Sequence, residues 1–288
     1  ELIGFDGSLS ASGGYHPTIS DIAVSTHDND YYLIERYQYD LINKVDLDNP
    51  AVFEWRHGAV SAGSSSSANP YGLIFASDSK AYLLRYGKEK AWIVDPTAQN
   101  QANFKIGELD LSSYTPGNGS VPGMSAGLIH DGKLYITLQR LDSNYAPANT
   151  SCVAVFNVSD NDEVDTGQGG SDCGKGIALN GRNPGEILYN ANTGILVQNT
   201  GDYAPDYSIS GIDQIDPSSY SVSTLVQADA GTGLISNVAI ASASQGYFLG
   251  YDGFGSLDLR SFDPSDGSVD SNAVAGLQSA DLRDVTVG

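Results

Sequence analysis

The amino-acid sequence predicts an all-β chain built from one repeated unit, and three observations carry that prediction. The composition suits strands and turns: the 288 residues include 33 Gly and 17 Tyr against a single Met. Short apolar runs of roughly four to seven residues alternate with Gly, Asp and Ser turns, as in an antiparallel meander. The order of runs also returns along the chain. Asp46, Asp95, Asn157, Asp216 and Asp263 each close a third run, at a mean step of about 54 residues, near the period of propeller blades.

Each copy can be followed in order. The first opens at Asp21 with DIAVS and continues through YYLIERYQYDLINKVDLDNP. In the second, Tyr71 to Ala76 is one run and Ser77-Asp78-Ser79 a turn. Lys80 to Tyr86 is the next run, Gly87-Lys88-Glu89 a second turn, and Ala91 to Val94 a third run before Asp95-Pro96. The third copy reads MSAGLIHDGKLYITLQRL, then the insertion LDSNYAPANTS, then CVAVFNVSD. NPGEILYNANTGILVQNTG, the insertion DYAPDYSIS and GIDQIDP make the fourth, and SNVAIASASQGYFLGYDGFGSLDLRSFDP the fifth. Tyr82, Tyr135 and Tyr247 take equivalent places in the second runs. A fourth β-like run follows the first four copies: AVFEW, NFKIGEL, GIALN and YSVSTLV. Four antiparallel strands repeated radially form a β-propeller. The expectation is one domain over residues 1–288 with about six blades. The last blade is incomplete: DLRDVTVG begins it and ELIGF adds a strand by circular closure.

The stretch KAYLLRYGKEKAWIVDPTA resembles the YVTN-type, or YncE-like, propeller repeat of secreted and surface proteins, with its aromatic-rich strand, short turn and strand ending in Val/Ile-Asp. The resemblance runs over residues 21–270, and the two insertions depart from it. It implies a non-enzymatic surface or periplasmic protein.

A net charge of −21, from 14 basic and 35 acidic residues, argues against a nucleic-acid partner, since phosphate binding needs Lys and Arg. No apolar run is long enough to span a membrane as a helix. The chain begins at Glu1 without Met, as a secreted protein does after signal cleavage or as an expression fragment does. The expected location is extracellular or at the cell surface. Cys152 and Cys173 flank a strand and a polar loop with little apolar surface to hold it. A disulfide closing that loop would stabilise the fold by about 3 kcal/mol.

Chemistry is sparsely signalled. The sequence has no His-x-x-Glu-His pattern, no Gly-x-Ser-x-Gly elbow and no Gly-rich phosphate loop. The expected role is therefore non-catalytic binding of a metal ion or surface ligand. The alternatives are a hydrolase or lyase using the propeller funnel, and a structural or adhesive module. Acidic clusters at HDND, DLD, DNDEVD and DPSDGSVD read either as turn chemistry or as calcium ligands. Trp55-Arg56-His57 resembles the copper(I) site of methanotroph surface copper-binding proteins, where an oxidised tryptophan works with two histidines. That resemblance implies a metal set of Trp55 and His57 with His130 or His16 as second imidazole.

Overall fold

The computed structural model describes residues 2–5, 9–13, 16–203, 206–253, 256–278, 282 and 284–285. It is all-β among these residues. Helix is confined to a four-residue turn, Gln101–Phe104, and two three-residue 3-10 turns. Two compact units, residues 1–109 and 110–288, divide the chain.

The first unit begins with a hairpin of β1 (Leu2–Phe5) and β2 (Leu9–Ser12). The segment ELIGF thus pairs with its own neighbour. The first four-stranded sheet follows: β3 (Ile22–His27), β4 (Asp30–Glu35), β5 (Leu41–Asp46) and β6 (Trp55–Gly58). The second consists of β7 (Pro70–Ser77), β8 (Lys80–Arg85), β9 (Lys90–Val94) and β10 (Lys105–Asp110).

In the second unit, β11 (Met124–His130), β12 (Lys133–Leu138), β13 (Cys152–Asn157) and β14 (Ile177–Ala178) form the third sheet. The fourth holds β15 (Pro184–Asn190), β16 (Gly194–Asn199), β17 (Gly211–Ile215) and β18 (Val222–Gln227). The fifth has three strands, β19 (Leu234–Ser242), β20 (Gln245–Gly253) and β21 (Ser256–Phe262), with a single bridge from Phe262 to Val269. In every sheet, neighbours in sequence are neighbours in space. The expected opening strand of a sixth copy, at 281–288, falls mostly outside the described residues.

The second strand of each sheet is interior and reads as a continuous apolar run because both of its faces are covered. In β16, Ile195 and Val197 pack with Tyr135, Val153 and Val155 of the third sheet. Leu196, pointing the other way, packs with Ile235, Val238 and Phe248 of the fifth. The third place of these strands is held by Tyr82, Tyr135 and Tyr247, as the spacing predicts, and by Tyr32 and Leu196 in the first and fourth sheets.

First strands are sheet edges, and edges carry unpaired N–H groups. The structure covers two of them at the same repeat position. Leu73 N in β7 donates to Ser25 Oγ of β3 (3.0 Å), and Val238 N in β19 donates to Glu186 Oε2 of β15 (2.6 Å). A register shift opens both strands near this point, between Pro70 and Gly72 and between Ser236 and Val238. The bulge turns the edge amide toward the preceding sheet instead of leaving it free to pair with another chain.

Cys152 in β13 is bonded to Cys173, with both residues buried and a Cα–Cα distance of 5.6 Å. The bridge fastens the polar connection between β13 and β14, whose two strands share only two paired positions. Replacing both cysteines by serine should lower the unfolding free energy by about 3 kcal/mol, read from a denaturant midpoint. Thiol titration of the unreduced, denatured wild type should find no free thiol.

Candidate functional site

The hairpin between β3 and β4 turns at Asp28-Asn29, with Asp28 in the left-handed region at φ 51°. Aspartate tolerates that conformation better than most residues. The hairpin between β7 and β8 turns at Asp78-Ser79. His27, the last residue of β3, lies flat on Phe75 of β7, with ring centroids 4.4 Å apart and 1° between planes. Stacking fixes the imidazole so that Nε2 sits 3.0 Å from Asp78 Oδ1 and 3.7 Å from Asp28 Oδ2. One nitrogen and two carboxylate oxygens, from two hairpins, thus lie within 4.8 Å of one another.

Both carboxylates are open to water, at 76% and 82% side-chain exposure, while the imidazole is at 26%. An ion pair so exposed adds little stability. An imidazole with two carboxylates is, however, a donor set for a borderline dication such as zinc, with water completing the shell. Calcium prefers oxygen alone, and copper(I) prefers softer donors.

The repeat reproduces half of this arrangement. His130 ends β11 as His27 ends β3, and Asp131 follows in the left-handed region at φ 46°. His130 stacks on Tyr189 of β15 at 3.7 Å, and Nε2 lies 3.3 Å from Asp131 Oδ2. Tyr189 opposes Ile195 just as Phe75 opposes Ala81. The facing hairpin turns at 191–193 without an aspartate, and Asn190 at its start accepts through Oδ1 from Asn192 N (2.9 Å).

The residues singled out in the sequence are distributed as follows. Trp55 and His57 alternate inward along β6 and stack at 4.3 Å, both buried. Trp55 Nε1 donates to Pro96 O (3.1 Å), and His57 Nε2 lies 2.8 Å from Ala98 O. A carbonyl only accepts, so Nε2 carries the proton and Nδ1 the lone pair. That Nδ1 is buried with no hydrogen-bond partner among the described residues. His16 stacks on Phe53 at 3.8 Å. His130 belongs to the second unit.

The acidic clusters are largely occupied with their own turns. Asp46 accepts from Asp48 N, Asp160 from Asp162 N, Asp165 from Gly167 N, and Asp266 from Ser268 N. Buried carboxylates play the same part at longer range. Asp40 Oδ1 accepts from Ala68 N and Asn69 N, and Asp213 Oδ2 from Asn180 N, Gly181 N and Asn199 Nδ2. Burial pushes the Asp213 carboxyl above the usual range, and the donated hydrogen bonds oppose that shift.

A cavity of about 340 Å³ in the second unit is lined by Glu186, Leu188, Val238 and Asp284 among others. Asn237 Nδ2 donates to Glu186 and to Asp284, both at 3.1 Å. Burial raises the Glu186 carboxyl above its ordinary range.

No family model matches the sequence, and no curated protein matches it. Solved structures do. A chain of the mitotic checkpoint complex matches with TM-score 0.55 at 12% identity, over 98% of this chain and 72% of its own. Kuenenia stuttgartiensis hydrazine synthase matches with TM-score 0.54 at 13% identity, over 81% and 62%. The extracellular domain of a B. thetaiotaomicron one-component system matches with TM-score 0.51 at 9% identity, over 90% and 28%. The chain therefore spans less than two thirds of the latter two. Such identities establish likeness of fold alone, and that fold is propeller-like.

An acid whose folded pKa is raised favours the folded state below that pKa and loses the advantage as pH rises through it. Wild type should accordingly lose stability relative to Glu186→Gln as pH rises from about 4 to about 8, measured as unfolding midpoints across the series.

Proposed function

We propose that the chain is an extracellular, non-catalytic binding module of the β-propeller type, and that it binds a zinc-class dication through His27, Asp28 and Asp78. The observation that carries the metal reading is the stacked imidazole of His27, which presents Nε2 to carboxylates from two separate hairpins. The propeller reading, with about six blades, is supported by the serial four-stranded meanders and by first strands that meet through Leu73–Ser25 and Val238–Glu186. The extracellular reading is supported by the buried disulfide, a bond that persists in oxidising compartments, and by the extracellular neighbour.

The buried carboxylates support a non-catalytic role, because Asp40 and Asp213 accept from backbone amides that would otherwise be unpaired. A second reading retains copper(I) at Trp55 and His57. The observation favouring it is the buried, unpartnered Nδ1, through which such an ion would have to bind.

Isothermal titration of untagged protein with zinc chloride should show one saturable site. His27→Ala should abolish it, and Asp78→Asn should weaken it at least about tenfold, on the order of 1.4 kcal/mol. Calcium chloride should not compete. Absence of saturable zinc binding, or zinc binding indifferent to His27→Ala, would overturn the assignment.

A further inference from the structure

Of the chain's 14 basic residues, Arg85, Lys88, Lys90 and Lys105 all lie in the second sheet or its turns. The guanidinium of Arg85 lies over the Trp92 ring at 4.1 Å and is 5% exposed. Its Nε donates to Ala59 O (2.9 Å) and its Nη1 to Lys90 O (3.2 Å). Both acceptors are neutral. The Lys88 ammonium donates to Ser66 O (2.9 Å) and Ser64 Oγ (3.2 Å), again without a carboxylate. Neither Arg85 nor Lys88 has an acidic group within ion-pair distance among the described residues.

Arg140 is held in the same way, donating to Tyr114 O (2.8 Å) and Thr150 O (2.6 Å), so what distinguishes Arg85 is the second cation lining the same cavity. A buried charge is costly unless an opposite charge or a full set of hydrogen bonds compensates it. Burial lowers the Arg85 guanidinium only to about 10, so it stays protonated at neutral pH. Both cations line one cavity of about 270 Å³, together with Ser61 and Ser64. Glu89 and Glu108 line it too, but Glu108 is already paired with Lys90 and Lys105.

We propose that this cavity binds a small oxyanion, the carboxylate, sulfate or phosphate group of a polar ligand. Arg85 would donate to it through the guanidinium hydrogens that Ala59 O and Lys90 O do not hold, and Lys88 would act as a second, more mobile charge. The two serine hydroxyls add neutral donors of the kind that surround such groups. The strong negative charge elsewhere disfavours polyanions, so the ligand carries one anionic group or few. This site shares no residue with the His27 cluster, and either reading can fail without the other.

The test is titration of the whole chain with sodium sulfate, sodium phosphate and sodium glucuronate at constant ionic strength, with sodium chloride as control, followed by amide and side-chain NMR shifts. Saturable shifts at Arg85, Lys88 and Ser64 are expected for at least one anion. Lys88→Gln should weaken that binding at least tenfold in Kd, and Arg85→Lys should weaken it while preserving the fold's amide spectrum. Binding of sulfate and phosphate without glucuronate assigns a tetrahedral group; the reverse assigns a carboxylate. No saturation by any of the three, or saturation unchanged in Lys88→Gln, would overturn the proposal.

Discussion

The structure depends on a short hydrogen bond pattern at the end of the third strand. Asp46, Asp95, Asp216 and Asp263 each turn their carboxylate back to accept the amide two residues on, at Asp48, Thr97, Ser218 and Ser265. A meander must stop each strand and reverse it without leaving polar backbone unpaired. The aspartate does both, because its side chain takes the place of the next strand's carbonyl. After Asp95, Asp216 and Asp263 comes proline, which has no amide to satisfy and restrains the residue before it to an extended conformation. In the third copy two residues share this role. Asn157 N and O close the turn with Asp162 O and Asn161 N, and Asp160 caps Asp162 N.

The same chemistry explains the charge. Acidic residues outnumber basic ones by 35 to 14 because the turns consume carboxylates and the sheet faces are apolar. Lys44 shows what happens where a cation is used: it lies between Asp30 and Glu54, at 2.8 Å from each. Sheets then add to one another through two kinds of contact. Apolar faces interlock, as at Leu196, and edge amides are taken up by side chains of the preceding sheet. A chain organised this way sets polar side chains at its hairpin tips, and His27 and Asp78 meet at two such tips.

Much of the fold was legible in the sequence. The strand order, the third-place tyrosines Tyr82, Tyr135 and Tyr247 and the disulfide follow from local patterns, whereas the fourth strand of the first copy, expected at AVFEW, lies at Trp55–Gly58 because 51–54 form the turn that leads into it. The site was less so. His27 and Asp78 are separated by 51 positions, and their meeting rests on the stacking of one hairpin against the next. The signal existed: His-Asp recurs at the same hairpin in the first and third copies, at His27-Asp28 and His130-Asp131. Trp55 and His57 read in the sequence as a metal-ligating pair. Alternation along β6 directs both inward, and each finds a backbone carbonyl there. Arg85 gave no signal, because nothing local in RYGKEK distinguishes a buried guanidinium from a solvated one.

Where a turn's hydrogen bonds stabilise the charged form of a carboxylate, its folded pKa lies below the unfolded one. Its contribution to stability is present above the unfolded value and is lost as pH falls through the folded value. Hydrogen bonds from Ser208, Ser218 and Ser268 depress Asp206, Asp216 and Asp266 in this way. The most direct measurement is a site-resolved NMR titration in the folded protein of the carboxyl carbon of Asp216, which ends a third strand, with those of the turn residues Asp206 and Asp266 beside it. The expected midpoints lie below the ordinary aspartate value of about 3.9. Midpoints at the ordinary value would contradict the account.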